Sequence, residues 1–185
     1  MQYILMILAV AGITAADQLS KYWTVQNIAL APGKWEHFPA LQAAFDIPDT
    51  ALTELPRQID AIPGVFHFTH TLNEGAAFSS FEGAQWLFAL VFAVFTAAVV
   101  WEMIKKSMPF TRLERWLILC IYAGGLGNMI DRLRFGFVID MIEVEFMNFA
   151  VFNVADSFIT CGCILLLVHL IFFNKEFWKD EKKKK

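Results

Sequence analysis

The chain has 185 residues, 57% of them hydrophobic and only 18% charged, with a mean hydropathy of +0.51. Ordinary globular chains carry roughly 45–50% apolar residues, so a soluble domain of this length could not cover so much apolar surface. A formal net charge of -3 excludes the basic field expected of a nucleic-acid partner.

A helical span needs about 20 mostly apolar residues. Four stretches meet or approach that length, at about 3–25, 84–104, 113–130 and 154–173. The expected fold is therefore mainly α and membrane-embedded, with four transmembrane helices. The first stretch contains Asp17 and Lys21, four residues apart and able to pair along one helix face. It lacks a basic leading region, and its apolar character resumes beyond Asp17, so it reads as a span rather than a cleaved leader. The segment 26–83 is too long for a plain connection. Within it, residues 65–72 alternate apolar and polar, as a strand with one apolar face does. Leu52, Leu55, Ile59 and Ile62 recur at helical spacing, although Pro56 makes any such helix short or broken. The segment reads as a small β-containing subdomain on the outer membrane surface, its aromatic residues Trp35, Phe38, Phe45, Phe66 and Phe68 suited to that interface. The third stretch opens with Glu114 and Arg115 and closes on a glycine-rich run and Asp131-Arg132. The fourth carries Asp156 in its first turn and His169 alone near its far end. Cys120, Cys161 and Cys163 all fall in apolar stretches, and an odd count there is no disulfide framework.

Charge sets the orientation. The link between the second and third spans carries Lys105, Lys106, Arg112 and Arg115, and the chain ends on Lys182 to Lys185. Segment 26–83 has Lys34 and Arg57 against seven acidic residues. The positive-inside rule puts both termini and that link in the cytoplasm, with 26–83 and 131–153 outside. The chain is then a single membrane domain over 1–185.

Ionisable residues inside spans are costly and gather here near the outer ends. Asp17, Lys21, Asp131, Arg132, Asp140 and Asp156 thus come to one membrane level. There is no HExxH zinc signature and no Gly-x-Ser-x-Gly elbow. Paired carboxylates remain: one activates water while the other, keeping its proton, donates to a carbonyl oxygen. Asp17, Asp131, Asp140 and Asp156 supply the carboxylates for such a pair; the neighbour of Asp131, Arg132, suggests an ion-paired structural role for Asp131. Asn153 is also a good N-cap, which places Asp156 at the capping-box position. Gly124, Gly125 and Gly127 suit close helix packing or the approach of a substrate backbone.

Four segments in order carry a resemblance: Asp17-Gln-Leu-Ser-Lys21; Asn73-Glu-Gly-Ala-Ala-Phe-Ser79; Gly124-Gly-Leu-Gly-Asn128-Met-Ile-Asp131-Arg132 on to Asp140; and Phe152-Asn153-Val-Ala-Asp156-Ser157. Together they resemble lipoprotein signal peptidase, also called signal peptidase II, over nearly the whole chain. The resemblance implies an aspartic endopeptidase of the bacterial inner membrane. Such enzymes remove the signal peptide from diacylglyceryl-modified prolipoproteins, cutting before the lipidated cysteine at the outer face. It implies Asp140 and Asp156 as the catalytic pair. Asn128, Arg132 and Asn153 map around them, and Asp17, Lys21 and Asn73 map onto the site, with Gly124 a further substrate-side candidate. No metal or organic cofactor is implied; lipid-modified prolipoproteins, membrane lipids and globomycin-type inhibitors are the implied partners. Region 26–66 looks longer than in compact relatives and carries no motif of the family.

Three other readings compete. A presenilin-type protease would need Asp where Gly125-Leu-Gly-Asn128 has Asn. A proton-coupled carrier would need groups along a path rather than at one face. A lipoprotein-binding relative without activity would not need both aspartates.

Overall fold

The computed structural model describes residues 2–75 and 85–178, apart from the side chains of Gln2 and Trp35. The second half of the Asn73-Glu-Gly motif, the first residue of the expected second span and the lysine tail lie outside the described residues.

Four long helices carry the molecule: α1 (Gln2–Asn27), and, further on, α4 (Gln85–Lys105), α5 (Arg112–Phe135) and α6 (Val154–Phe172). Three are long and apolar enough to cross a membrane: Tyr3–Asn27, Gln85–Lys105 and Val154–Phe172. Their outward faces are apolar and exposed, as at Ile7 and Leu8 of α1, Val91 and Val94 of α4, and Leu165 and Leu167 of α6. Among the described residues α5 does not reach the same apolar standard, although a span was expected there. It is 24 residues long, but Arg112, Glu114, Arg115, Asp131, Arg132 and Arg134 all lie on it. The physical reason is its place. It packs against α1, α4 and α6, so protein rather than lipid surrounds most of it.

Helix α5 starts at a capping box in which Thr111 and Glu114 satisfy one another's backbone N–H groups. It ends at Gly136, whose φ of 83° is the left-handed stop that glycine adopts without cost. The opposite end of the bundle from Asp156 is locked by Glu114, fully buried. Its carboxylate contacts His169 Nδ1 at 2.8 Å and accepts from Asn174 Nδ2 at 2.7 Å. His169 is therefore not alone, as its sequence surroundings suggest, but clamps α6 to the start of α5.

Between α1 and α4 lie two short helices, α2 (Phe38–Phe45) and α3 (Ala51–Glu54), and strands β1 (Gln58–Ile62) and β2 (Phe66–Asn73). Strand β3 (Val138–Val144) joins them in an antiparallel sheet of order β1-β2-β3. The expected strand over 65–72 is β2. The helical spacing of Leu52 to Ile62 does not become one helix. Helix α3 lasts a single turn, and Ile59 and Ile62 lie on β1. Pro56 disfavours helical backbone at the residue before it and has no N–H to continue the ladder. The sheet and short helices share a core of Val25, Leu30, Leu41, Ile47, Ala51, Leu72, Phe137, Ile139 and Met141. That core fixes β3 against the top of α1. The three cysteines are free.

Candidate active site

Asp140 is the third residue of β3, paired across the ladder with Thr71 of β2. Asp156 stands in the first turn of α6. Asn153 caps that helix: its Oδ1 accepts from Asp156 N at 2.9 Å, and Asp156 Oδ2 accepts from Asn153 N at 3.2 Å. The capping box read from the sequence is thus present, and it orients the carboxylate.

Three asparagine amides then converge. Asn128 Nδ2 donates to Asp156 Oδ1 at 2.7 Å. Asn153 Nδ2 donates to Asp140 Oδ1 at 2.7 Å, and Asn73 Nδ2 to Asp140 Oδ2 at 3.2 Å. Each amide is held the right way round because its oxygen is already occupied. Asn73 Oδ1 accepts from Gly75 N at 3.1 Å, Asn153 Oδ1 from Asp156 N, and Asn128 Oδ1 from Lys21 Nζ at 3.1 Å and Asn153 Nδ2 at 3.0 Å. All four carboxylate oxygens of the pair therefore receive a nitrogen donor.

Beneath this layer lies a charged one. Lys21 Nζ sits 2.8 Å from Asp17 Oδ2 and 2.8 Å from Asp131 Oδ2. With Asn128 as its third acceptor, the ammonium has used its three protons. Asp17 and Lys21 are 0% and 2% exposed, and Lys21 meets the carboxylate pair through Asn128. Asp17 Oδ1 also accepts from Ala155 N at 2.9 Å, and Asp131 Oδ2 from Ile139 N at 3.2 Å. The layer thus grips the backbone next to each of Asp140 and Asp156. Asp131 pairs with Lys21 rather than with its neighbour Arg132, because adjacent helix residues point apart. Arg132 instead donates to Gly75 O at 2.8 Å and lies over the Phe88 ring at 4.4 Å.

The glycines permit the layers to meet. Gly124 lies under the first turn of α6, where a methyl group would run into the Ala155 carbonyl and the Ile159 side chain. At Gly127 an added Cβ would come within 2.5 Å of Asp17 Oδ2. Gly124, a substrate-side candidate from the sequence, is placed against the first turn of α6. Two residues of this region were not singled out from the sequence. Gln18 Nε2 donates to Asp131 Oδ1 at 2.8 Å and Gly127 O at 3.2 Å. Gln85 ties Glu74 O, at 3.1 Å, to the carbonyl of Gly136. Gln18 lies inside the Asp17-to-Lys21 motif, which was its available signal; Gln85 had none.

Burial pushes the Asp140 carboxyl up to about 7, and the nearby Asp156 charge adds to the rise. The Asn73 and Asn153 amides and the Lys21 charge oppose it.

Apolar helices around a buried polar centre define a multi-pass membrane protein. The chain belongs to the signal peptidase II family: the family described as Signal peptidase (SPase) II matches residues 9–172. The lipoprotein signal peptidase of Streptococcus pyogenes serotype M2 is 38% identical over 180 residues, covering 96% of this chain and 95% of that protein. The serotype M1 protein of the same name matches equally over the same shares. Two solved structures of bacterial membrane enzymes are also similar. One, at 26% identity and a TM-score of 0.68, covers 98% of this chain and 92% of its own; the other, at 25% and 0.70, covers 91% and 94%. The protein is a peptidase of this family.

Proposed function

We propose that this peptidase removes the signal peptide from diacylglyceryl-modified prolipoproteins, cutting before the lipidated cysteine, with Asp140 and Asp156 as its catalytic pair. The observation that carries the reading is the convergence of Asn73, Asn128 and Asn153 on these two carboxylates. No other two acidic groups among the described residues receive such a set of amide donors.

Asp140 holds the proton at rest, since burial and the neighbouring charge disfavour its ionised form. Asp156 is the ionised partner, supported by the helix N-terminus and by donors from Asn128 and Asn153 N. A water between them gives a proton to Asp156 and attacks the scissile carbonyl. Asp140 donates its proton to the developing oxyanion, and the resulting gem-diol collapses as Asp156 gives its proton to the leaving amine and one gem-diol hydroxyl returns a proton to Asp140. Asp17 and Lys21 position Asn128, and hence Asp156. Arg132, beside Gly75, holds the strand end that carries Asn73, and the substrate backbone lies along that rim.

The membrane setting follows the charge pattern. All four long helices cross the inner membrane, with α5 tolerated in lipid because its charged face is packed against protein. Both termini are cytoplasmic, and the single domain over 1–185 carries outer-face segments at 26–83 and 131–153. The substrate's signal helix enters sideways from the lipid, its acyl chains staying among membrane lipids, and globomycin-type inhibitors block the same site.

Cleavage of a diacylglyceryl-modified prolipoprotein in vesicles tests the pair. Wild type cuts before the modified cysteine, whereas Asp140→Asn and Asp156→Asn, folded by thermal unfolding, lose at least about a thousandfold in rate. Retained cutting in either variant would remove that residue from the pair and return Asp131 to consideration.

A further inference from the structure

We propose that the outer sheet carries a binding site for one divalent transition-metal ion, formed by Asp60, His67 and Glu145. The site is separate from the catalytic pair and structural in role.

The three strands bring the ligands together by register. Asp60 of β1 faces His67 of β2, and His67 faces Glu143 of β3. Glu145, two residues past Glu143, lies on the same side of the chain. One ligand atom from each of Asp60, His67 and Glu145 falls within 4.8 Å of the other two. That spacing contracts readily to a shell with metal–ligand distances of about 2.0–2.2 Å.

The imidazole separates this cluster from an ordinary acidic patch. Its side chain is 11% exposed, and both ring nitrogens face carboxylates: Nε2 lies 3.1 Å from Glu143 Oε2, and Nδ1 lies 3.1 Å from Glu145 Oε1. A neutral ring that donates Nε2–H to Glu143 aims the lone pair of Nδ1 at the Glu145 carboxylate. Two acceptors then face each other, a conflict that either a second ring proton or a cation between them removes. Glu143 becomes the orienting carboxylate behind a metal-bound histidine. Glu145 is held from its other side by Gly64 N, which donates to Oε2 at 3.0 Å. Among the described residues no lysine or arginine pairs with Asp60, Glu143 or Glu145; Lys34, on the same outer segment, is engaged by Glu74. Three carboxylates around one imidazole therefore have a charge to be met. One nitrogen and two oxygen ligands suit zinc better than calcium or magnesium, which favour oxygen alone.

The ion would tie the β1–β2 hairpin to the end of β3, the strand that carries Asp140. Its effect is on the rigidity of the sheet and not on the bond-breaking step.

The test uses the full chain purified in detergent, stripped with EDTA and titrated with zinc chloride by calorimetry, with thermal unfolding in parallel. Wild type binds one zinc per chain at this site and unfolds at a higher temperature with zinc. His67→Gln, His67→Ala and the double variant Asp60→Asn with Glu145→Gln weaken that binding by at least about tenfold and lose the thermal shift. Their retained prolipoprotein cleavage shows that they are folded. Equal zinc binding in wild type and all variants would overturn the site and direct attention to the free thiols. Absence of stoichiometric binding by wild type would overturn it as well, leaving a proton as the bridge between His67 and its carboxylates.

Discussion

At the scale of single residues, the site is a set of amides whose direction has been decided elsewhere. Asn128 presents its nitrogen to Asp156 because Lys21 and Asn153 hold its oxygen. This predicts a pH profile. Asp140, raised to about 7 by burial and the Asp156 charge, donates a proton in the proposed mechanism, so cleavage falls as pH rises through about 7. Asn73 stabilises the ionised form, so Asn73→Ala moves this alkaline limb to higher pH as well as slowing cleavage; pH–rate profiles of the two proteins measure the displacement. Stability follows the same sign. The folded chain keeps a proton that the unfolded chain has released, so this contribution is full below the ordinary value of 3.8 and is lost as pH rises through about 7. The Asn153–Asp156 cap was legible in the sequence because it is a pattern four residues long. The orientation of Asn128 was not, because it depends on a lysine 107 positions away.

Among the elements, α5 decides how closely the two carboxylate-bearing pieces approach. Gly124 and Gly127 let α6 and α1 rest on its backbone. Gly124→Ala forces α6 outward at Ala155, the residue before Asp156, and overpacking of this kind costs about 1–3 kcal/mol. The expected outcome is a lower thermal midpoint together with lost cleavage, read on the same purified variant. Helix existence was legible wherever an apolar run exceeded the span length, and β2 was legible from its alternation. The run Leu52 to Ile62 misled because its period is helical while Pro56 divides it into a turn of helix and a strand. Strand β3 was hidden for a related reason. It is buried from Val138 to Met141, so it shows an apolar run rather than an alternation.

Across the whole molecule, composition announced the membrane, and three of the four long helices meet the apolar standard of a span while α5 does not. Its charges belong to the protein interior and to the ends of the bundle, and a scale that assumes lipid on every side counts them as penalties. Orientation is checked by accessibility. A single reporter cysteine in the 105–112 link, on a background with Cys120, Cys161 and Cys163 replaced, is labelled from the cytoplasmic side, and one in segment 26–83 from the outer side. The reverse pattern would put the carboxylate pair on the wrong face for a substrate arriving after translocation.

The buried Lys21 also bears on how the molecule is made. Helix α1 precedes α5 in the chain and carries Asp17 and Lys21 as a neutral pair that can enter lipid together. Asp131 arrives much later on α5, and needs that same ammonium when it does. Until the two helices meet, the nascent chain holds a carboxylate in the bilayer without its cation. Docking of α5 on α1 is therefore what brings that carboxylate its cation, and α5 without α1 beside it leaves the Asp131 charge unmet.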